Sequence, residues 1–566
     1  MNIQAIYHRP ESNYCFSLTD KKIGLRIRFA KGERIDSVSV VYNNKYDIAK
    51  KQYVKELDFT CSDGTYDYYS TVLELMDSRF SYIFEITFDD KKIYYCEVGV
   101  KEEYDFNYAY YDSFQYAYLN QNDIIANVDW LNNGVFYQIF VDRFAKGSIK
   151  DESYINCQWN DLPTPKSFHG GDLDGIADNL DYIQNLGVTA IYLTPVFKSI
   201  SNHKYDISDY FQVDDMFGGN AALKRLVSEC HNRGLKIILD AVFNHVSENF
   251  EPFQDVLQKG SESKYYDWFI IDGPKINSEK SNYACFAACN YMPKLNTNNP
   301  EVQQYLLSVV EYWMKEYDID GWRLDVADEV SHDFWRLMRR KVKSIKKDAA
   351  LIGENWHNSE SYLNGDQFDS IMNYGVLKAM LDYWVNESLD EQGLSFALNR
   401  QLMRYADTTN NMMFNLIDSH DTYRFLTEVK GNQDKLICAL VTLAFLPGSL
   451  NLYYGTEILL EGGFDPDSRR AFDFSRLDDE RVHLYSNIIS FILKLKQQPA
   501  LKNGKVTISE QNGMLVIERA SAEQVLTLKV SKQSKKIENN FSMSFNNKNN
   551  YNDNSFIIEG KLRWEN

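Results

Sequence analysis

From residue 1 to about 120, apolar and polar positions alternate in short runs, as in GLRIRFAKG (24–32), VSVVYNN (38–44) and YIFEITFDDKKIYYCEVGV (82–100). A period of two sends successive side chains to opposite faces of a strand, and the Asp-Gly and Asp-Asp-Lys-Lys turns between runs join neighbouring strands. The pattern predicts an N-terminal β-sandwich over residues 1–122. The polar stretch YLNQNDIIANVDWLNNG (118–134) then leads into something different.

From Gly134 onward, short apolar runs alternate with longer stretches of helical period. The strand candidates are, in order, VFYQIFVDRF, AIYLTPV, KIILDAVFNH, GWRLDV, LIGENWH, SIMNY, MMFNLIDSHD and LNLYYGTE. Eight strands with intervening helices predict an α/β fold, a (β/α)8 barrel over residues 123–495. NAALKRLVSECHNRG, closing at Gly234, and EVQQYLLSVVEYWMKEY, opened by Asn299-Pro300, show the helical stripe and its end signals. The crossover between Asn244 and Pro300 is too long for an ordinary loop. Its aromatic, irregular residues, about 246–298, predict a small domain inserted after the third strand, over the barrel mouth. The tail alternates again in GMLVIERA and QVLTLKVS, which predicts a small C-terminal β domain over 496–566.

Composition narrows the function. With 566 residues, 44% hydrophobic and 25% charged, the chain is that of a soluble globular protein. No apolar run reaches the ~18 residues of a membrane helix. ICALVTLAFLPG, near Ile437, is too short and ends on Pro-Gly, as a buried helix does. The start, MNIQAIYHRPESNYCF, lacks the marks of a secretory signal, so the expected location is cytoplasmic. Eight scattered cysteines, of which only Cys285 and Cys289 are close, form neither a disulfide scaffold nor a zinc pattern. A net charge of −19 repels nucleic acid and anionic lipid, so the expected partner is neutral or small. Aromatics at 14% suit stacking on sugar rings, though core packing explains most of them.

Active sites of such barrels lie at the carboxyl ends of the strands. Those ends hold Asp240, Asn244 and His245 after the third strand, and Arg323 and Asp325 on the fourth. Glu354 follows the fifth, and His420 and Asp421 the seventh. Each alone has an ordinary reading, since a strand-end aspartate often caps a helix and Arg323 with Asp325 would also make a structural ion pair. Together they suit cleavage of a glycosidic bond through a covalent intermediate. That reaction needs an ionised carboxylate and a proton-donating carboxyl ~5–5.5 Å apart. Glu354, after the apolar ALIG, is the natural proton donor, and Arg323, two residues from Asp325 on the same strand face, keeps Asp325 charged. Asp421 is placed to bind sugar hydroxyls and favour the distorted transition state.

DAVFNHV, GWRLDVADEV, GENWH and NLIDSHDT, in this order and on these strands, resemble the four signature blocks of the α-amylase superfamily of retaining glycoside hydrolases. MPKLN (292–296) is similar to the additional block of its neopullulanase, cyclomaltodextrinase and maltogenic amylase subfamily, and AIYHRPESNYCF resembles the start of that subfamily's starch-binding sandwich. The resemblance implies Asp325 as nucleophile, Glu354 as acid/base and Asp421 as transition-state stabiliser. It makes Arg323, His245 and His420 contacts to the sugar in the cleaved-bond subsite and Tyr205 the aromatic platform beneath it. Asp240 and Asn244 support the site, Trp356 lines the acceptor side, and Asp465 and Arg469 close the far donor subsite. The implied substrates are cyclodextrins, short maltooligosaccharides and pullulan, cleaved at α-1,4 and also at α-1,6 bonds with some transglycosylation. The implied assembly is a homodimer in which one sandwich covers the other chain's barrel mouth. An α-glucosidase, a mainly transferring α-glucanotransferase and a non-catalytic carbohydrate-binding or transporter-accessory protein are the alternatives. This chain departs from the subfamily at Asp328, Asn355 and Asp418, where Asn, an aliphatic residue and Gly are usual. The family often has an Asn/Asp-rich calcium loop after DRF; here DRFAKGSIKDES has Lys146 and Ser148 where oxygen ligands would be expected, so absence of calcium is the favoured expectation, and no other cofactor is implied.

Overall fold

The computed structural model describes residues 1–147, 152–277 and 281–532, with the backbone strands Asn540–Asn547 and Phe556–Gly560. The N-terminal runs form two antiparallel sheets. One has the order Cys15–Thr19, Lys22–Ala30, Tyr66–Glu74, Asp58–Ser62; the other is built on Tyr53–Glu56, Ser37–Asn43, Phe80–Phe88, Lys91–Cys96 and Gly99–Lys101, with Phe114–Tyr116 beside Phe80–Phe88. Ile23, Leu25 and Ile27 of the first sheet meet Val38, Val40, Phe84 and Ile86 of the second in a dry core. Arg26, at a polar position of the same run, does not face water. It donates to the carbonyls of Asn13 (3.0 Å) and Tyr405 (2.7 Å) and pairs with Asp407, so it docks the sandwich on the barrel.

All eight apolar runs become barrel strands: Val135–Ile139, Ala190–Leu193, Lys236–Ala241, Gly321–Leu324, Ala350–Gly353, Ser370–Ile371, Phe414–Asn415 and Ser449–Tyr453. Successive strands pair in parallel, the eighth pairs with the first, and the sixth and seventh meet through the single bridge Met372–Phe414, which closes the ring. The strands are shorter than the runs because the polar ends leave the sheet as loops, and the site residues stand on those loops. Phe136, Ala190, Ile238, Ala350, Ile352, Met372 and Phe414 fill the interior, while Tyr137, Ile191, Ile237, Trp322 and Leu351 pack outward on the helices. The inward alternation also carries Gln138, Asp240 and Arg323 into the barrel, all buried.

The helical stretches fold as Gly219–Asn232, followed by Gly234 at φ +72°, and Pro300–Tyr317, whose cap Asn299 accepts from the Glu301 N–H at 2.8 Å. Gln433–Phe445 is buried continuously from Leu436. The inserted residues contribute the helix Glu251–Lys259 and a hairpin, Cys285–Phe286 with Cys289–Pro293, that leans over the mouth. The C-terminal strands begin with Lys505–Gln511, Met514–Ala520 and Gln524–Ser531 in an antiparallel meander that the two later strands extend. Arg519, buried in it, donates to the carbonyls of Gly504, Leu501 and Phe445 and so ties it to the barrel. Among the described residues no helix is long and apolar enough to cross a membrane.

Candidate active site

The register of the third, fourth and fifth strands builds the centre. Asp240 pairs with Arg323, and Leu324 with Gly353, so Asp325 and Glu354 are the next residues of two adjacent strands. Their backbones are fixed: the Asp325 N–H donates to Ala241 O (3.1 Å) and the Glu354 N–H to Leu324 O (2.9 Å). Neighbouring strands lie ~4.8 Å apart, which suits a carboxyl pair of the close-set type.

One guanidinium organises four acids. Arg323 Nη1 donates to Asp325 Oδ1 at 2.6 Å and to both oxygens of Asp240 at 3.0 and 3.1 Å. Its Nη2 lies 2.7 Å from Glu354 Oε2 and 3.8 Å from Asp421 Oδ2. Glu354 also accepts two hydrogen bonds, from the Val326 N–H (3.0 Å) and the Trp356 indole (3.1 Å). Asp325 Oδ2 is buried with no partner, although the residue lines the cleft. Burial pushes the carboxyls of Asp325, Asp240 and Asp421 up, Asp240 to about 6, against the pull of Arg323. The 2.6 Å charge-assisted bond from Arg323 favours the ionised form of Asp325 against that burial.

The histidines stay neutral. Burial pushes His245 down to about 3 and His203 to about 4, and drives His420 well below its ordinary range. His245 Nε2 has no partner, and its ring stacks on Phe286 at 4.7 Å. Tyr205 lies parallel to His420, with ring centres 5.4 Å apart, and its hydroxyl donates to Asp240 Oδ2 at 3.0 Å. Arg469 donates to the His420 carbonyl (3.0 Å) and pairs with Asp465 at 2.8 Å and Asp421 at 3.5 Å.

These groups surround a cavity of about 590 Å³. Of the residues singled out in the sequence, Tyr205, His245, Asp325, Glu354, Trp356, Asp421, Asp465 and Arg469 line it. Asp240, Asn244, Arg323 and His420 lie just behind the wall, each 1% exposed or less. Asp240 holds Arg323, Tyr192 and Tyr205, and Asn244 accepts from Lys294, whose ammonium also reaches Glu329 at 3.0 Å. Sequence reasoning missed Phe286, Cys289 and Tyr291 on the hairpin, Phe464, and Tyr374, which stacks under Trp356 at 3.7 Å. The clustered aromatics of the insertion were the available signal for the first group.

Of the three departures, only Asp328 reaches the cavity. The Asn355 side chain accepts from the His357 N–H (2.9 Å), and buried Asp418 accepts from the Phe425 N–H (3.0 Å), which caps the helix Phe425–Glu428. Burial pushes Asp418 up to about 6. Among the described residues no group of three or more His, Cys, Asp or Glu side chains is arranged to hold a metal ion. Around the calcium-candidate loop, Asp142 accepts from the His169 and Gly170 N–H groups, and Asp172 from those of Gly147 and Gly175. The Lys146 ammonium sits 5.5 Å from the Trp159 ring, and Ser148 lies outside the described residues. The described part of this loop does not fit calcium.

Known proteins share this arrangement. The family profile "Alpha amylase, catalytic domain" matches residues 138–481, and "Alpha amylase, N-terminal ig-like domain" matches residues 1–120. A cyclomaltodextrinase of Thermoanaerobacter pseudethanolicus is 41% identical over 86% of this chain and 85% of its own length. A maltogenic alpha-amylase of Bacillus acidopullulyticus is 37% identical over 96% and 93%. A solved cyclomaltodextrinase structure superimposes with a TM-score of 0.89 at 36% identity, covering 96% of this chain and 93% of that one. With its catalytic barrel, its N-terminal domain and these relatives in agreement, the chain belongs to the α-amylase family, in the group of cyclomaltodextrinases, maltogenic amylases and neopullulanases.

Proposed function

We propose that the protein is a retaining α-glucan hydrolase acting on cyclodextrins and maltooligosaccharides, and on pullulan, with some transglycosylation. The observation that carries this is the Arg323 guanidinium bridging Asp325 and Glu354 at adjacent strand ends in one cavity. In this reading Asp325 Oδ2 attacks the anomeric carbon while Glu354 protonates the departing oxygen. Glu354 then takes a proton from water, which attacks the same carbon and releases Asp325, so configuration is retained. Asp421 binds sugar hydroxyls as the ring flattens, and Arg323 keeps Asp325 charged until it attacks and stabilises the carboxylate again as water releases it. The unpartnered His245 Nε2 finds its partner in a sugar hydroxyl. Tyr205 is the platform, Trp356 the acceptor-side surface, and Asp465 with Arg469 the donor-end closure. The relatives that match are hydrolases by name, and none of those reported favours an α-glucosidase.

The same proposal includes a cytoplasmic homodimer. Eight free cysteines suit a reducing compartment, and Tyr108, Tyr110, Tyr111 and Tyr118 stand exposed beside the sandwich as a contact surface. Light scattering on the purified protein tests the dimer. The activity is tested by incubating the enzyme, with Asp325→Asn as control, with β-cyclodextrin, pullulan, starch and maltotriose. Cyclodextrin cleaved far faster than starch, with the variant inert, supports the reading; starch cleaved equally well, or a fully active variant, overturns it.

A further inference from the structure

We propose that Gln138 and Asn451 are positioning residues that fix His420 in the neutral tautomer carrying its proton on Nε2, so that the ring donates toward Asp421 and the bound sugar. The proposal rests on the reading of His420 and Asp421 as parts of the sugar site.

His420 Nε2 lies 3.1 Å from Asp421 Oδ2 and hydrogen-bonds the Tyr205 hydroxyl. That hydroxyl directs its own proton to Asp240 Oδ2 at 3.0 Å, so its oxygen is an acceptor toward His420. Both neighbours of Nε2 therefore require a proton on it. The ring is fully buried, and burial, reinforced by Arg469 and Arg323, keeps it to a single proton. Nδ1 must then accept. Facing it at 2.7 Å is Gln138 Nε2.

A glutamine amide can present either end; the proton that Asp421 and Tyr205 require on Nε2 selects the NH2 end for Nδ1, and Asn451 completes the chain. Its Nδ2 donates to Gln138 Oε1 at 3.1 Å, leaving the Gln138 NH2 for the histidine. The reverse orientation would put a proton on Nδ1, bare Nε2 before Asp421, and deprive Asp240 of the tyrosine proton. Gln138 and Asn451 point inward from the paired first and eighth strands and are 0% and 1% exposed, so water does not compete for these bonds. The charged and titratable groups facing the ring are Arg469, Arg323, Glu354, Asp421, His203 and Tyr205.

The test is the pH dependence of kcat/KM on β-cyclodextrin for Gln138→Glu, Gln138→Leu and Asn451→Asp, each as a ratio to the parent enzyme. An ionised glutamate draws the ring proton to Nδ1; once protonated, its O–H again donates to Nδ1. Gln138→Glu is expected to fall about a hundredfold at pH 7, the scale of losing one preorganised donor, and to recover to within about tenfold near pH 5. Asn451→Asp, which turns the glutamine amide round, is expected to show the same acid-side recovery, and Gln138→Leu a loss that does not vary with pH. Ratios independent of pH for both acidic variants, in proteins that melt within a few degrees of the parent, would overturn the proposal. Full activity of Asp325→Asn would instead remove the sugar-site reading beneath it, whatever the Gln138 variants do.

Discussion

Replacing Arg323 by methionine tests the electrostatics of the site at its centre. The side chain is 1% exposed and holds contacts of 2.6 Å to Asp325, 2.7 Å to Glu354 and 3.0 Å to Asp240. Charge-assisted bonds of this kind are worth about 1.5–3 kcal/mol each. Their sum overstates the effect, because acids that lose the cation take up protons, and breaking a buried ion pair costs about 3–5 kcal/mol net. Loss of the Asp325 contact alone, at about 2.7 kcal/mol, corresponds to about two pKa units at 1.36 kcal/mol each. Asp325 of Arg323→Met is then ionised about a hundredfold less on the acid side. Its carboxyl moves up, so the acid limb of kcat/KM moves to higher pH. We expect kcat/KM on β-cyclodextrin to fall a hundred- to a thousandfold at pH 6, with partial recovery toward pH 8. The assay is reducing-end release from pH 4 to 9, with circular dichroism melts to establish folding. A folded variant within tenfold of the parent, with its acid limb unmoved, would refute the reasoning.

Three further outcomes follow from other parts of the molecule. Arg26→Met leaves the Asn13 carbonyl without its donor, the Tyr405 carbonyl with only the 3.4 Å bond from Asn410, and Asp407 without its partner, so stability should fall by about 2–4 kcal/mol in urea melts while kcat/KM stays within twofold; unchanged stability would show that the sandwich docks by other contacts. Asp328→Asn removes the charge from an exposed part of the cavity wall; if that wall receives the acceptor, transfer products of maltotriose should drop two- to fivefold relative to hydrolysis at constant melting temperature, and an unchanged ratio by chromatography counts against a role in acceptor binding. Burial pushes His8 down to about 3 from 6.5; the unfolded chain therefore binds the extra proton, and stability drops as pH falls from about 6.5 toward 3. His8→Gln should be less stable at pH 7 yet lose less between pH 6.5 and 4.5, and equal slopes would contradict this.

The sandwich and the barrel were legible because their periods differ. Ile23, Leu25 and Ile27 alternate toward one core, whereas the barrel strands are apolar on both faces and separated by helical stripes. The site was legible because a barrel gathers its strand ends, and Asp325 and Glu354 follow paired residues. Direction was less legible than position. Asn355 and Asp418 are near Glu354 and Asp421 in sequence, yet the first closes a local turn and the second accepts from the first N–H of a short helix. Arg26 occupies a polar slot that reads as solvent-facing, and only the docked barrel explains its burial. Gln138 looks like one polar residue in an apolar run; its role depends on Asn451, 313 positions away. The hairpin residues Phe286 and Tyr291 lacked any period, so the sequence marked the insertion without saying which of its side chains reach the cleft.

The central claim is that Asp325 and Glu354 cleave the bond by double displacement. Proton NMR of the first turnovers on β-cyclodextrin tests it directly, by following the anomeric signal of the newly released reducing end before mutarotation. Double displacement releases the α-anomer first, which then decays toward the equilibrium mixture. Initial appearance of the β-anomer would mean a single displacement by water and would contradict the roles given to both carboxylates.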